Sequence, residues 1–153
     1  MADLDHRFMT PPSLRVTGQR PAPSGEITYI WDLRVAQPNV SHMAMPVVHS
    51  MEHFLGTYLR SASGQVIAVA PMGCQTGFYI VTTGIGGFGQ MSELLADALG
   101  AVASATAVPV ANPVQCGWAE NHTLSGAQEL AAWLLRRRAE WDDPGKDARE
   151  VEV

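Results

Sequence analysis

Three side chains that suit a metal site lie close together on one predicted helix. The stretch from Pro46 to Arg60, PVVHSMEHFLGTYLR, places its proline in the first turn, where a missing N–H costs nothing, and no residue through Leu59 breaks the run. At roughly 100° per residue, His49 and His53 lie about 40° apart around the helix axis, so both imidazoles can reach one ion. The pattern therefore predicts a helix that supplies two ligands to a metal centre.

Glu52 lies on the same face of this helix, about 60° to the other side of His49. Its carboxylate can contact a metal-bound oxygen without binding the metal, so it is a candidate proton carrier. Gly56 leaves room beside the histidines. The alternative is an HxxEH string that arose by chance, with solvated histidines. The separate apolar half of the helix argues against that alternative and predicts packing on a sheet: Met51, Phe54, Leu55, Tyr58 and Leu59.

The composition predicts one globular domain spanning residues 1–153, with an extended arm at 1–12 and a frayed, charged tail at 142–153. Hydrophobic residues make up 46% of the chain and charged residues 16%, which favours a packed core. A net charge of −5 offers no basic field for DNA or RNA, so we expect no nucleic-acid partner. No segment approaches the roughly 18 apolar residues of a membrane span, and the start lacks the apolar core of a signal peptide. We therefore predict a cytoplasmic protein with no membrane association.

The two cysteines, Cys74 and Cys116, are then expected to be thiols or metal ligands, with a disulfide as the alternative for an exported protein. Two histidines leave a first-row metal short of ligands. A thiolate from Cys116 would complete a His/His/Cys set with one position open for water or substrate. Cys74 is then free to act as an acid or base if its pKa is lowered, or it is an inert, small hydrophobe.

The remaining patterns predict a series of short elements. The histidine of the arm, His6, is either solvated or functional. Asp32 and Arg34 share the less apolar face of a strand, either as a solvent-side ion pair or with the arginine directed at a ligand. Glycine-rich residues 84–89 lack the spacing of a dinucleotide site and predict a flexible loop. The predicted strands are 14–16, 27–35, 66–70 and 78–82, with a turn-rich stretch at 18–25. Ser92 is predicted to cap one helix. A last helix is predicted to run from a capping box at Ser125 and Gln128 to about Glu140.

Several separated segments of the chain resemble one known family. HSMEH (49–53), APMGCQTGFY (70–79) and QCGWAENHTLSGAQ (115–128) are similar to the three signature segments of S-ribosylhomocysteine lyase, LuxS. LDH (4–6) and DLRVAQPN (32–39) match in order and approximate spacing. A joint match of this kind is far more specific than HxxEH alone.

The resemblance implies an α+β fold, a two-layer sandwich of an antiparallel sheet with helices on one face, and a homodimer with active sites at the subunit interface. It implies one Fe²⁺ per subunit, replaceable by Zn²⁺ or Co²⁺. The implied reaction cleaves S-ribosylhomocysteine, by carbonyl migration and β-elimination, to homocysteine and 4,5-dihydroxy-2,3-pentanedione, the autoinducer-2 precursor of quorum sensing. The resemblance assigns metal binding to His49, His53 and Cys116, proton transfer to Glu52 and Cys74, and substrate binding to His6, Arg34, Met72, Gly73 and Tyr79.

The chain departs from the family pattern at three positions. Ala68 and Ala70 stand where an acidic residue and a serine are usual, and residues 1 and 2 lack the usual serine. One alternative is therefore a divergent enzyme for a related S-substituted homocysteine, and another is a non-catalytic metal-binding homologue. The HxxEH order also marks inverzincin metallopeptidases, but their third ligand is a glutamate and their chains are far longer.

Overall fold

The computed structural model describes residues 3–151. Within that range the strands β2, β3, β5 and β4 form an antiparallel sheet in that order, and β1 pairs with β6 in a separate two-stranded ribbon. The helices and antiparallel strands confirm the α+β class. The elements in chain order are β1 Asp3–Leu4, β2 Ser13–Pro21, β3 Ile27–Arg34, α1 Met45–Ala62, β4 Val66–Pro71, β5 Gly77–Thr83, α2 Phe88–Ser104, α3 Leu124–Arg136 and β6 Glu150–Val151.

Helix α1 forms where the sequence predicts it, with its proline in the first turn. Its apolar face joins a core shared with the sheet, α2 and α3, while Tyr58 is only partly buried. Burial of each large side chain on this face contributes roughly 1.5–3 kcal/mol. The opposite face of α1 carries polar side chains. The buried apolar residues of α1 are Val48, Met51, Phe54, Leu55 and Leu59.

Strand β3 presents a different set of side chains to each face of the sheet. Trp31 and Leu33 are buried, and the indole N–H of Trp31 donates to the carbonyl of Ile85 at 3.0 Å. Asp32 and Arg34 point to the other face. The predicted strand is therefore confirmed, and its polar face lies beside the turn that joins β4 to β5, because β3 pairs with β5 from Arg34↔Gly77 onward.

Two predicted strands differ from those in the structure. β2 continues through Pro21, so the predicted turn-rich stretch at 18–25 is confirmed only for residues 22–25, where the Gly25 N–H donates to the carbonyl of Ala22. Pairing with β3 holds residues 18–21 extended after a bulge next to Gly18. β4 was expected to be buried. It lies at the edge of the sheet, because among residues 3–151 it pairs with β5 alone, and Ile67 is 49% exposed.

The caps of the last two helices also differ from the prediction. α2 begins at Phe88, so Ser92 lies inside the helix and is buried, and part of the glycine-rich stretch is helical. Thr123 caps α3 by accepting from the Gly126 N–H, in place of Ser125. The Gln128 side chain instead donates to carbonyls at the end of α2, and α3 ends at Arg136 before a 3₁₀ turn at 138–140. Contacts between elements thus outweigh the local capping pattern.

Residues 3–12 of the arm and residues 142–151 of the tail pack on each other. Strands β1 and β6 pair, and the Thr10 N–H donates to the carbonyl of Pro144 at 2.7 Å. The tail therefore contacts the arm as far as Val151. The serine-free start of the arm, residues 1 and 2, lies outside the described residues. No helix between residues 3 and 151 combines the length and apolar character that crossing a membrane requires.

Candidate metal centre and thiol cleft

Four side chains with metal-binding atoms converge beside the open face of α1. His49 and His53 come from the helix, and Cys116 and His122 come from the long connection between α2 and α3. One ligand atom from each residue lies within 4.8 Å of the others. The structure thus brings together the three predicted ligands, and it adds a histidine.

Hydrogen bonds orient the two helix histidines toward the centre of this cluster. Nδ1 of His49 lies 3.0 Å from the carbonyl of Asn121, and Nδ1 of His53 lies 2.8 Å from the carbonyl of Pro109. A carbonyl only accepts, so each Nδ1 carries the proton and each Nε2 keeps a free lone pair. This backbone support fixes both rings in the state that binds metal.

The donor set fits a first-row divalent ion. Nε2 of His49 lies 3.4 Å from Sγ of Cys116. Two ligand atoms of one tetrahedral ion are separated by about 3.3–3.6 Å at ordinary metal–nitrogen and metal–sulfur bond lengths. Imidazole and thiolate donors suit iron, cobalt or zinc better than magnesium or calcium. The cluster is therefore a metal-binding group.

His122 is the residue that sequence reasoning missed. Its Nε2 lies 3.5 Å from Sγ of Cys116, and its ring stacks on that of His49 with centres 4.0 Å apart. Burial, followed by the charges of His49 and His53, lowers the pKa of His122. Its one signal in the sequence was its position in the same matched segment as Cys116. No helical spacing marks His122 as a ligand, because it lies in a loop.

Glu52 lies beside the cluster at the wall of an open cleft of about 710 Å³, which we call the metal cleft because His53 also lines it. Its Oε2 is 3.8 Å from Nε2 of His53, and its side chain is 34% exposed. A Cβ at Gly56, which also lines the cleft, would meet nothing within 4 Å, so the glycine does leave room there. The carboxylate therefore adjoins the donor set and also faces the space that a ligand would enter.

Cys74 lies in the turn between β4 and β5, and a hydrogen-bonded chain leads to its sulfur. Arg34 donates from Nη1 to Oγ1 of Thr76 at 2.6 Å. Since a guanidinium only donates, the Thr76 hydroxyl keeps its own proton for Sγ of Cys74, 3.0 Å away. Desolvation opposes ionisation of Cys74, but the Thr76 hydrogen bonds and the Arg34 charge outweigh it and lower the pKa of the thiol. This chain favours the thiolate.

Arg34 itself is buried, which corrects the picture of a solvent-side ion pair. Its Nη2 donates to Oδ2 of Asp32 at 2.6 Å, and both residues are at most 2% exposed. A buried, paired arginine is held rigidly, because breaking the pair would leave an uncompensated charge. Arg34 therefore forms the predicted ion pair with Asp32 and also lines a ligand-sized space.

That space is a second cleft, of about 370 Å³, which we call the thiol cleft. It is lined by His6, Arg34, His42, Cys74 and Thr76, among others. His6 is half-exposed and lies 3.6 Å from the carboxylate of Asp3.

The three other predicted substrate contacts do not line either cleft. Met72 is buried, and its backbone N–H and carbonyl bond within the turn to Gly77 and Gln75. Gly73 is exposed. Tyr79 is exposed on β5, opposite Ala70 of the edge strand. Their roles stay predictions.

The metal cleft and the thiol cleft have no lining residue in common. Glu52 lines one and Cys74 lines the other. Within a single chain, the two predicted proton carriers therefore do not face the same space.

Replacing Thr76 tests the chain of hydrogen bonds to Cys74. Thr76→Val removes the hydroxyl but keeps the shape, so the pKa of Cys74 should rise and its alkylation rate at neutral pH should fall. Loss of a hydrogen bond worth about 1 kcal/mol predicts a roughly fivefold lower rate. Thr76→Ser keeps the hydroxyl and is the matched control. Iodoacetamide labelling across a pH series measures both variants, and an unchanged profile in the valine variant would show that Thr76 does not influence the thiol.

An α+β domain with converging imidazole and thiolate donors, a neighbouring carboxylate and an activated thiol defines a class, the small metal-dependent enzymes. The family model for S-Ribosylhomocysteinase (LuxS) matches residues 2–144. The chain belongs to the S-ribosylhomocysteinase (LuxS) family.

Curated relatives agree with this assignment over nearly the whole chain. An S-ribosylhomocysteine lyase of Helicobacter pylori strain Shi470 is 41% identical over 143 residues, which cover 94% of this chain and 92% of the relative. One from Staphylococcus saprophyticus is 39% identical and covers 92% and 90%. One from Listeria monocytogenes is 41% identical and covers 91% and 90%. The resemblance found in the sequence is thereby confirmed.

Proposed function

We propose that this protein is a metal-dependent lyase that cleaves the thioether of S-ribosylhomocysteine to homocysteine and 4,5-dihydroxy-2,3-pentanedione. The observation that carries the proposal is the convergence of His49, His53 and Cys116 beside Glu52 in a chain that matches S-ribosylhomocysteine lyases over most of its length. Non-catalytic metal binding does not account for the hydrogen-bonded chain that activates Cys74.

His49, His53 and Cys116 would hold the ion, which we propose to be Fe²⁺, with Zn²⁺ or Co²⁺ as substitutes. When bound, such an ion supplies Lewis-acid polarisation of the sugar oxygens. The two histidines keep their Nε2 lone pairs directed at the centre because their Nδ1 protons are engaged by backbone carbonyls. The protein thus supplies a site in which backbone hydrogen bonds already orient both rings.

Moving a carbonyl along a sugar requires a proton to leave one carbon and another to be delivered nearby. Cys74 suits removal of a proton, because Thr76 and Arg34 favour its thiolate and make Sγ available as a base. Glu52 suits delivery and removal of protons at the sugar oxygens, because its carboxylate borders the metal cleft. The elimination then breaks the carbon–sulfur bond and releases homocysteine as the thiol.

Arg34 and His6 would hold the sugar from the side of the thiol cleft. Both line that cleft together with Cys74, and the buried Asp32 fixes the guanidinium in place. Polar groups held in this way position a sugar for reaction with little entropic cost. The turn that carries Cys74 also contains Met72 and Gly73, and Tyr79 follows it on β5. We propose these three residues as further substrate contacts.

A homodimer would bring the two clefts together. Glu52 and Cys74 line separate clefts of one chain, so the reaction requires the metal cleft of one subunit to face the thiol cleft of its partner. The partly exposed edge strand β4, with Ile67, and the exposed Tyr79 on β5 offer apolar surface for such an interface. We propose active sites at that interface, each built from both subunits. The cytoplasmic location expected from the sequence stays a prediction.

A second candidate is an enzyme of the same chemistry with a different S-substituted homocysteine as its substrate. Two small side chains favour it: Ala68 and Ala70 on β4 stand where the family usually carries a carboxylate and a hydroxyl. Without these groups, the amino-acid end of the substrate loses partners. Neither alanine belongs to the metal centre or to the hydrogen bonds from Arg34 through Thr76 to Cys74.

Thiol release from defined substrates tests the proposed function. Anaerobically prepared, iron-loaded protein mixed with S-ribosylhomocysteine should release free thiol and one dicarbonyl product per thiol. S-adenosylhomocysteine serves as the control and should release none. Thiol release only from another S-substituted homocysteine would select the second candidate, and release from no thioether at full metal occupancy would overturn the lyase assignment.

A further inference from the structure

His122 belongs to the metal centre in space, yet its ring is placed differently from those of the two helix histidines. It stacks on His49, with ring centres 4.0 Å apart and planes inclined by 29°. Two imidazoles that radiate from one tetrahedral ion keep their centres roughly 5 Å apart. The pair His49 and His53, at 4.8 Å and 86°, fits that arrangement. The closer stacking places His122 against the face of the His49 ring, while its ring lies edge-on to that of His53, with centres 4.6 Å apart and planes at 66°.

Ser50 determines the tautomer of His122. The serine is fully buried on α1, and its Oγ accepts the Thr123 N–H at 2.8 Å. Its own proton has the Nδ1 of His122, 3.3 Å away, as its acceptor. If Nδ1 carried the proton, two N–H groups would point at the same oxygen and the buried hydroxyl proton would lack a partner, which is costly. Nδ1 therefore accepts, and the proton of the neutral ring lies on Nε2.

An Nε2–H of His122 points at Sγ of Cys116, 3.5 Å away. That sulfur also accepts the backbone N–H of Trp118 at 3.4 Å. A thiolate ligand that accepts hydrogen bonds donates less charge to its metal, and such bonds tune the electronic properties of thiolate-bound ions. His122 thus has the geometry of a donor to the sulfur ligand.

We propose that His122 is a positioning residue of the metal centre: Ser50 holds it in the Nε2–H tautomer, and it donates a hydrogen bond to the thiolate of Cys116 without binding the ion. The inference rests on the metal centre of the proposed function. It adds a Ser50–His122–Cys116 chain, which links α1 to the connection that carries the sulfur ligand. In this way the protein adjusts the strength of its thiolate ligand and holds Cys116 in place.

Cobalt(II) substitution tests the chain without any activity measurement. Cobalt(II) alone is added to metal-free wild type, His122→Phe, His122→Gln and Ser50→Ala, and the visible spectrum, stoichiometry and affinity are measured. His122→Phe keeps a stacking ring but neither donates nor binds. It should still bind one ion per chain, with an affinity lowered by about 10- to 100-fold at most, as expected for a partner of a ligand.

The thiolate-to-cobalt charge-transfer band is the decisive signal. In His122→Phe it should move to longer wavelength, because an unbonded thiolate gives up charge more readily, while the d–d bands keep their intensity. His122→Gln, whose amide N–H can reach the sulfur, should restore the band toward its wild-type position. Ser50→Ala should shift it in the same direction as the phenylalanine variant, by less, and it serves as the second test if that variant does not fold. Ser104→Ala, at an exposed serine of α2 that lines neither cleft, is the control for Ser50→Ala and should leave the spectrum unchanged.

Two results would overturn the inference. Loss of the ion from His122→Phe, or a change in d–d intensity that signals a new coordination number, would make His122 a ligand. A charge-transfer band that stays in place in the phenylalanine and alanine variants would show that no hydrogen bond reaches the sulfur. If wild-type protein bound no cobalt at all, the metal centre of the proposed function would fail, which is a different outcome from either of these.

Discussion

Cys116→Ala should leave the protein folded but nearly free of metal. The substitution removes the only sulfur donor of the cluster, and the remaining imidazoles hold a first-row ion weakly. Loss of one of three ligands predicts an affinity at least about 100-fold lower, since removing only a partner of a ligand already costs 10- to 100-fold. Metal analysis after gel filtration in the presence of a weak chelator measures the loss.

Glu52→Gln is the matched control for that experiment. It changes a residue beside the same cluster, keeps the side-chain shape and removes no ligand atom of the four. It should therefore retain one ion per chain. Full metal occupancy in Cys116→Ala would show that the sulfur is not a ligand, and the donor set would then have to be built from the histidines alone.

Glu52→Gln and Cys74→Ser should each lower kcat by at least about 100-fold, the usual effect of losing a general acid or base. Both variants should remain metallated, because neither residue belongs to the donor cluster. The double variant should be little worse than either single variant, since both residues serve one proton-transfer sequence. Steady-state thiol release, normalised to bound metal, measures all three.

Two features separate this prediction from a general loss of stability. Glu129→Gln, at an exposed position on α3, makes the same chemical change away from both clefts and should leave kcat unchanged. The pH profile of kcat/KM should lose a limb in Cys74→Ser, because a serine hydroxyl does not ionise near neutrality. Near-normal turnover with an unchanged profile in Cys74→Ser would return this thiol to the role of a small, inert side chain.

The sequence predicted the metal-binding helix well because its information is local. The spacing of His49, Glu52 and His53 and the apolar stripe of α1 both follow from helical geometry, which requires no knowledge of the rest of the chain. The burial of the strands was predicted less completely. β4 has the apolar composition of a buried strand but lies at the edge, because strand order is determined by long-range pairing.

Residues contributed by loops were harder to predict. His122 lies in an irregular connection, and only tertiary packing brings it against His49 and Cys116. Likewise, a sequence pattern on β3 identified Asp32 and Arg34 but not their burial beside the neighbouring turn, where Arg34 bonds to Thr76. Ser92 and Ser125 have the chemistry of caps, yet α2 begins at Phe88 and the neighbouring Thr123 caps α3.

One active site is proposed to combine the metal cleft of one subunit with the thiol cleft of its partner. Co-expression of Glu52→Gln and Cys74→Ser chains with different tags, followed by purification on both, yields the mixed dimer. Each chain then supplies the group that the other lacks, so one of the two symmetry-related sites is intact and activity should recover to about half that of the wild-type dimer. Thiol release from S-ribosylhomocysteine by this mixed dimer is the measurement. Activity no higher than that of the single variants, in a dimer with full metal occupancy, would contradict the claim, because it would mean that both groups act within one chain.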